Sequence, residues 1–154
     1  MNNEYSVAIK KQIEDFFEKT TFEINDVLVV LRNEIFFVNI NTEHSKTLIG
    51  ERGKTLAEIQ HIIRGIVRRQ VKEDLFVEVD INNYKQIKNE KLRDVAKDIA
   101  DEVSFYKTEK ILPVMNPYER RIIHLALEKR SDIETESIGE GLDRRVVVRP
   151  AQSL

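Results

Sequence analysis

The chain has 154 residues, with 25 Lys and Arg against 27 Asp and Glu, and it contains no Cys. A chain of this length allows one ordinary domain or two very small ones. Without Cys it has no disulfide scaffold, thiolate zinc site, iron–sulfur cluster or cysteine nucleophile. The longest aliphatic run, Val27 to Leu31, is far shorter than the about 20 residues that span a bilayer, and the N-terminus lacks the features of a signal peptide. We therefore expect a cytoplasmic protein with no transmembrane segment.

The first half of the chain predicts the order helix, strand, strand, helix, helix, strand. Apolar residues three or four apart are typical of a helix, whereas β-branched or aromatic runs and strict alternation are typical of strands. Thr55 and Glu58 have the spacing of a capping box and support a helix start near them. The predicted elements are a helix at 5–19, strands at 27–31 and 35–40, helical segments at 47–49 and 54–71, and a strand at 75–81.

The second half begins with a long predicted helix and continues with short elements. Asn116-Pro117-Tyr118-Glu119 is a strong helix start, because Asn is a good N-cap, Pro suits the first turn and Glu can reach back to the cap amide. Asn82-Asn83 is the expected boundary between two domains, at 1–82 and 83–154. The predicted elements are a helix at 84–106, a strand at 110–114, a helix ending near Lys129, and strands at 133–138 and 145–148 around a glycine turn.

A G-x-x-G turn lies between the two helical segments of the first half, in the sequence Ile49-Gly50-Glu51-Arg52-Gly53-Lys54. Two glycines permit positive φ and close backbone approach, and the amides at the start of the next helix suit a phosphate. Arg52 and Lys54 add positive charge, and Ile49 would edge an apolar groove. A plain turn between helices is the alternative for the motif alone, but the surrounding order of elements resembles a K-homology (KH) domain.

Gly53-Lys54-Thr55 is also similar to the end of a Walker A loop, but the spacing excludes this alternative. A Walker A loop needs a glycine five positions before its second glycine, and that position is Leu48. The chain has only three scattered His and no convergent pair of carboxylates on one predicted element. We therefore expect no enzyme activity, no catalytic residue, no metal site and no cofactor.

Arg120 and His124 lie four residues apart on the helix after Asn116, so both project from one face. A cation and an imidazole side by side can contact successive phosphates, or a phosphate and a sugar. Arg121 lies at the edge of this face. The alternative for the pair alone is a solvated helix face with an incidental His. A metal site is not expected, because neither of the other two His has ligand spacing with His124.

The net charge of -2 argues against a nucleic-acid partner only when it is taken as a total. Residues 44–72 hold seven Lys and Arg against two Glu, and residues 107–130 hold six against three. The tail from Gly141 holds three Arg against Asp143. A charge run is usually a solvated surface, but each basic segment here coincides with a motif. The first segment includes a stripe that could serve RNA or a protein partner, consisting of His61, Arg64 and Arg68.

Three motifs of the second half occur together in one known domain type. They are Pro113-Val114-Met115-Asn116-Pro117-Tyr118-Glu119-Arg120-Arg121-Ile122-Ile123-His124, then Glu134 to Gly141, then Arg144-Arg145-Val146-Val147-Val148. Together they closely resemble the R-x-x-x-H (R-three-H) domain, a single-stranded nucleic-acid-binding module. A KH domain followed by an R-x-x-x-H domain resembles the bacterial Jag family, and this resemblance covers about residues 5–150.

The resemblance implies a cytoplasmic RNA-binding protein linked to cell elongation, division or sporulation. The implied fold is α+β, with a type II KH domain (α-β-β-α-α-β) followed by a small α/β R-x-x-x-H domain. The family's KH loop maps onto Gly50 to Gly53, and its named Arg and His map onto Arg120 and His124. Its glycine turn and basic strand map onto Gly139 to Gly141 with Arg144 and Arg145.

Two departures from the family pattern matter. Jag proteins often carry an extra N-terminal domain and linker, whereas this chain begins near its KH domain, so we expect a short natural form or a piece of a longer protein. The KH loop is usually basic at both variable positions, whereas Glu51 occupies one of them here. That carboxylate should weaken the attraction of the loop for phosphate.

We expect a non-catalytic protein that binds single-stranded nucleic acid, with RNA as the first choice and single-stranded DNA as the alternative. The loop amides and Arg52 would hold the backbone of about four nucleotides. In the second domain Arg120, His124 and Arg144 or Arg145 would grip phosphates, and Tyr118 would stack on a base or serve packing. The candidate binding residues are Ile49, Gly50, Glu51, Arg52, Gly53, Lys54, Tyr118, Arg120, Arg121, His124, Arg144 and Arg145.

A protein-interaction adaptor is the alternative function. The KH domain would then form a homodimer or bind a small KH-protein partner through its helices, and the complex would survive nuclease and high salt. For the RNA function, we expect Gly50→Asp with Gly53→Asp to abolish binding at the loop while leaving the fold intact.

Overall fold

The computed structural model describes residues 2–71 and 75–152. Lys72, counted in the first basic segment, lies outside the described residues. The chain forms helices and two separate sheets, which confirms the expected mixed α+β class. It divides into two compact units, Met1–Lys85 and Gln86–Leu154, which we call unit 1 and unit 2.

Unit 1 is a three-stranded sheet with helices on one face. Its strands have the order β1-β2-β3, with β1 antiparallel and β3 parallel to β2. The apolar stripes of the first and third helices, including Ile9, Ile13 and Ile63, are buried against the sheet. The elements are α1 (Asn2–Glu18), β1 (Asp26–Arg32), β2 (Ile35–Asn41), α2 (Ser45–Ile49), α3 (Lys54–Val71) and β3 (Phe76–Ile81), with a 3-10 turn at Glu51–Gly53.

The outer edge of β3 is hydrogen-bonded by side chains of α3. The Val79 N–H donates to Gln60 Oε1 at 3.1 Å, and Arg64 Nε donates to the Val77 carbonyl at 2.6 Å. Because β3 is the last strand of its sheet, these backbone groups have no strand beside them. The α3 side chains therefore supply the partners that a neighbouring strand would supply.

The sheet face of unit 1 that lies away from the helices carries apolar side chains. Side chains alternate between the two faces of a strand, so Leu28 lies on this outer face while its neighbour Val27 is buried. Leu28 is 55 % exposed and Phe76 is 71 % exposed. The continuous apolar runs of β1 and β2 thus supply a core on one face and an uncovered apolar surface on the other.

Unit 2 is an antiparallel three-stranded sheet with the strand order β4-β6-β5. Its core joins small residues of the long helix, Ala96 and Ala100, to Ile123 and to Val146 and Val148 of the central strand. The elements are α4 (Tyr84–Tyr106), β4 (Lys110–Val114), α5 (Pro117–Leu127), β5 (Ile133–Ile138) and β6 (Arg145–Pro150), with a 3-10 turn at Gly141–Asp143.

Candidate nucleic-acid interface

The G-x-x-G turn of unit 1 depends on three unusual backbone conformations. Gly50 ends α2 with φ 73° and ψ -176°, and its N–H donates to the Lys46 carbonyl at 3.1 Å. Arg52 has φ 53° and Gly53 has φ 80°. A non-glycine residue at positive φ is uncommon and clusters at functional sites. Arg52 lies at the tip of the turn.

Both glycines of the turn are also fixed by their surroundings. A Cβ at Gly50 would lie 2.2 Å from Thr55 Oγ1, and one at Gly53 would lie 3.0 Å from Tyr84 Cε1. Any side chain at these positions combines a clash with positive φ. The structure thus contradicts the expectation that Gly50→Asp with Gly53→Asp would leave the fold intact, so the loop is better tested through its charged side chains.

The remaining candidate residues of unit 1 lie where α3 begins. Glu51 and Arg52 are exposed, and Lys54 follows the turn as the first residue of α3, whereas Ile49 is half-buried and packs on the core. The turn therefore brings two cations and one carboxylate together next to a helix N-terminus. The weaker attraction for phosphate that Glu51 would cause at this turn stays a prediction.

The start of α5 in unit 2 has the geometry that its sequence predicts. Asn116 Oδ1 accepts from the Glu119 N–H at 2.9 Å, and Glu119 Oε2 accepts from the Asn116 N–H at 3.0 Å, with Pro117 in the first turn. This capping box confirms the predicted helix start. It fixes the first turn of α5, from which Arg120 projects.

The backbone of Met115 connects two distant segments that each carry arginine. Its carbonyl accepts from Arg120 Nη1 at 2.6 Å, and its N–H donates to the Arg144 carbonyl at 3.2 Å. Arg145 follows directly, and its Nε donates to the Asp143 carbonyl at 3.1 Å. We call Arg120, Arg144 and Arg145 the arginine cluster. Arg144 is exposed, and Arg120 and Arg145 are half-buried.

His124 lies one helical turn after Arg120 and uses both ring nitrogens inside unit 2. Nδ1 is 2.8 Å from Thr135 Oγ1, and Nε2 is 2.9 Å from Ser137 Oγ. In a neutral imidazole one nitrogen donates and the other accepts, and each hydroxyl can take either role. Burial, together with the charge of Arg120, lowers the pKa of His124. Both effects favour a neutral ring bound to β5.

The sequence reasoning did not assign a role to Thr135 or Ser137. Their spacing in the sequence does predict that they lie on the same face of the strand, because residues two apart on a strand share one face. Ile133, at the same spacing, is buried. The two hydroxyls therefore lie on the core side of β5, where α5 packs, and this pairing requires knowledge of the sheet.

Tyr118 lies on the first turn of α5 with its ring in solvent. The side chain is 59 % exposed, and its hydroxyl accepts from Asn89 Nδ2 at 2.8 Å. The hydrogen bond anchors one end of the ring to α4 while the ring stays accessible. Arg121 is exposed on the same stretch of helix.

Several other cations of unit 2 are engaged by carboxylates. Arg130 pairs with Asp101 and with Asp132, and these hydrogen bonds raise its pKa. Arg149 pairs with Glu109 and Glu136 on the outer side of the sheet. These pairs neutralise Arg130 and Arg149, and the positive charge that remains in the basic segments of unit 2 is carried by the arginine cluster and Arg121, together with the exposed Lys107 and Lys129.

Over 2–71 and 75–152, no three His, Asp or Glu side chains are grouped so that they could hold a metal ion. Over the same residues, no helix is both long and apolar enough to cross a membrane.

Comparison with known proteins assigns the second half of the chain. Residues 90–150 match the model of the R-x-x-x-H (R-three-H) domain. Over 72 % of its length the chain is 38 % identical to the "RNA-binding protein KhpB" of Clostridium symbiosum, and over 80 % it is 32 % identical to the protein of that name in Bacillus subtilis (strain 168). It spans 50 % and 61 % of those two proteins. The chain therefore carries an R-x-x-x-H domain, and it is similar over most of its length to proteins named for RNA binding.

Proposed function

We propose that this chain is a non-catalytic protein of the Jag family that binds single-stranded RNA through both units. Unit 1 would be the type II KH domain, and unit 2 carries the R-x-x-x-H domain. The relatives are named as RNA-binding proteins, which supports RNA over DNA as the ligand. The resemblance to Jag proteins further suggests a role in bacterial cell elongation, division or sporulation.

The observation that carries this proposal is the pair of hydrogen bonds made by the backbone of Met115. One backbone residue binds the Arg120 guanidinium through its carbonyl and the Arg144 carbonyl through its N–H. The chain segments that carry Arg120 and Arg144, which are 24 residues apart in the sequence, are thereby held together, so their side chains would form one basic surface. Arginine is well suited to phosphate, because its planar guanidinium donates in a fixed fork.

In unit 2 the arginine cluster would hold the phosphates, and His124 would act as a positioning residue. Its two hydrogen bonds tie α5 to β5, so the ring fixes the helix from which Arg120 projects. Direct contact of His124 with a phosphate stays a prediction, because it requires one of these bonds to open. Tyr118, exposed and anchored through its hydroxyl, is available for stacking on a base.

In unit 1 the G-x-x-G turn would clamp the backbone of about four nucleotides. Arg52 and Lys54 supply attraction at the turn, and Glu51 reduces it. The bases would then lie along the start of α3 beside Ile49. The turn of unit 1 has two cations and one carboxylate, whereas the arginine cluster of unit 2 has three cations. Because the net positive charge of the cluster is larger, we expect unit 2 to contribute more of the salt-dependent affinity.

The test is a binding titration of labelled single-stranded RNA at several salt concentrations. Arg121→Ala with Arg144→Ala removes two exposed cations without touching the hydrogen bonds of Met115. We expect weaker binding. The slope of log affinity against log salt concentration should become shallower by about 0.7 for each lost phosphate contact. Arg93→Ala, which removes an exposed cation from α4, is the matched control and should bind like the wild type.

If the double variant binds RNA as tightly as the control does, the proposal that unit 2 contacts RNA is wrong. Binding of double-stranded RNA in preference to single strands would contradict the proposed ligand.

A second candidate is protein interaction by self-association of unit 1, and the outer sheet face favours it. β1 presents Leu28, Val30 and Arg32 on this face, by the alternation of strand side chains, whereas the carboxylate of Asp26 pairs with Lys10 of α1 at 3.2 Å. An exposed apolar strip of this kind would be covered when the same strip of a second copy packs on it about a two-fold axis. This surface differs from the helices that the sequence suggested for the same role.

Light scattering of the free protein over a range of concentrations tests this candidate. Leu28→Lys should shift a dimer to monomer, whereas Val7→Lys, at an exposed apolar position of α1, should not. A wild-type protein that stays monomeric at high concentration would exclude the candidate.

A further inference from the structure

Leu142 is an apolar side chain that lies almost wholly in solvent. It is 96 % exposed, whereas Leu112 and Leu127 of the same unit are each 2 % exposed. Full burial of a leucine is worth about 1.5–3 kcal/mol of hydrophobic free energy, and the fold of unit 2 makes no use of it at this position.

The exposure of Leu142 is imposed by a well-defined turn. The Asp143 N–H donates to the Glu140 carbonyl at 3.1 Å, and the Arg144 N–H donates to the Gly141 carbonyl at 3.4 Å. Gly139, with φ 87°, lies so close to the chain that a Cβ there would be 2.9 Å from the Asp143 carbonyl oxygen. A chain fixed in this way presents Leu142 outward on a rigid support.

The turn leads directly into the arginine cluster. Arg144 ends the 3-10 turn, and its carbonyl is bound by the Met115 N–H. Leu142 therefore lies two residues before Arg144, in a turn whose other end is held at Met115. A strand whose phosphates lie on the cluster has its bases free beside it, and every base has an apolar face.

The charges of the turn determine which part of a nucleotide can approach Leu142. Glu140 and Asp143 are both exposed and flank it, and their carboxylates repel phosphate. The phosphates are thereby kept on the side of the arginines, and the uncharged base is the part that can reach the leucine. One side chain is also far smaller than the about 800 Å² that each partner of a stable protein complex buries.

We propose that Leu142 packs against a nucleobase of the single strand whose phosphates lie on the arginine cluster. The inference rests on the proposed function, since it presupposes that unit 2 binds a single strand. It adds a base contact to a surface otherwise made of phosphate contacts. Apolar contact with a base depends little on sequence, so Leu142 supplies affinity more than selectivity.

Two probes separate this contact from the phosphate contacts. One is oligouridine, and the other is an abasic ribose-phosphate strand of the same length. Leu142→Ala should weaken binding of oligouridine about three- to tenfold with no change in its salt dependence. The same variant should bind the abasic strand like the wild type, because no base is present to contact. Leu125→Ala, which truncates another exposed leucine of unit 2, is the matched control.

The outcomes distinguish the inference from the proposed function. If the wild type binds oligouridine and Leu142→Ala binds it equally well, the base contact is excluded while RNA binding stands. If Leu142→Ala weakened the binding of both strands equally, the substitution would be acting on the backbone contacts or on the fold, not on a base. That result would also overturn the inference. If Arg121→Ala with Arg144→Ala loses no affinity either, the site in unit 2 fails together with its base contact.

Discussion

At the residue scale, His124 is held between two hydroxyls, and its protonation is coupled to the stability of unit 2. A protonated ring would be a donor at both nitrogens, next to Arg120 and partly removed from water. Burial and the charge of Arg120 accordingly lower the pKa of His124 below its usual value of 6.5. The neutral ring is the form that fits this site.

The sign of the resulting pH dependence follows from proton binding. As the pH falls below about 6.5, the unfolded chain takes up the His124 proton before the folded chain does. The free energy of unfolding should therefore be greatest above about 6.5 and fall as the pH drops towards the lowered pKa of the folded state. Titration of the ring protons by NMR and denaturant unfolding between about pH 5 and pH 8 would measure both effects.

His124→Gln is the control for this prediction, because an amide can donate and accept without titrating. The variant should show a shallower decline of stability on acidification than the wild type, since His44 and His61 are present in both proteins. A folded-state pKa of His124 at or above its usual value of 6.5 would contradict the prediction.

Gly50 gives a second prediction at this scale. Its φ of 73° with ψ of -176° is a conformation that side chains rarely adopt, and Thr55 Oγ1 fills the place of a Cβ. Gly50→Ala should lower the free energy of unfolding of unit 1 by about 1–3 kcal/mol from the backbone alone, with the clash adding to this. Urea unfolding is the measurement.

Gly65 is a matched control on the neighbouring helix. It lies in the middle of α3 with no atom within 4 Å of an added Cβ. Gly65→Ala should raise stability by roughly 0.5–1 kcal/mol, since alanine restricts the unfolded chain and favours helix. If the two glycine variants were equally stable, the strain assigned to Gly50 would be wrong.

The positions of the candidate residues follow from the sequence better than their partners do. Helical spacing places Arg120 and His124 on neighbouring turns, as local geometry requires. It says nothing of Thr135, Ser137 or the Met115 carbonyl, because these contacts depend on how α5 lies on the sheet. For the same reason, the sequence alone does not show that Thr55 leaves no space for a side chain at position 50. That requirement for glycine follows from the packing of Thr55 in the structure.

At the element scale, α5 is the part of the structure whose start the sequence predicts most completely. Asn116→Ala removes the side-chain cap and leaves the Glu119 N–H without its acceptor. We expect unit 2 to lose about 1 kcal/mol of stability, measured by thermal unfolding. RNA affinity should fall as well, because the cap precedes Arg120 and adjoins Met115.

Asn116→Asp is the control, since Asp caps a helix as well as Asn does. It should retain the stability of the wild type. A loss equal to that of Asn116→Ala would mean that the amide nitrogen, rather than the cap oxygen, stabilises α5.

The edge of β3 illustrates what the sequence leaves undetermined for an element. The sequence predicts that the basic stripe of α3, formed by His61, Arg64 and Arg68, is a surface for RNA or a protein partner. In the structure Arg64 Nε is bound to the Val77 carbonyl, and Gln60 binds both the Val79 N–H and Lys85 Nζ. Strand order decides this, because only an edge strand has such groups to offer, and order is not encoded in the periodicity of one helix.

At the scale of the whole molecule, the net charge of -2 conceals a sorted distribution. Counting by segment recovers basic regions, but the count includes Arg130 and Arg149, which carboxylates neutralise in the structure. The exposed positive charge of unit 2 is therefore smaller and more local than the sequence count.

The cytoplasmic location and the small KH-protein partner stay predictions.

Two units on one chain give a prediction about RNA length. If unit 1 binds as proposed, a strand of about four nucleotides fills its site, and a longer strand would also contact the site proposed in unit 2. The second contact is then intramolecular and can raise affinity by about 10²-fold or more without any new interaction. We expect the wild type to bind a long oligouridine far more tightly than a short one, measured by fluorescence anisotropy at fixed salt.

Charge reversal in one unit at a time identifies the source of that gain. Arg52→Glu acts at the G-x-x-G turn and Arg144→Glu acts at the arginine cluster, and both side chains are exposed, so the fold should tolerate either change. Each should remove most of the gain with strand length, because either one reduces the chain to a single effective site. If the gain persists in Arg52→Glu and is lost only in Arg144→Glu, the length dependence arises within unit 2, and the clamp assigned to unit 1 is excluded.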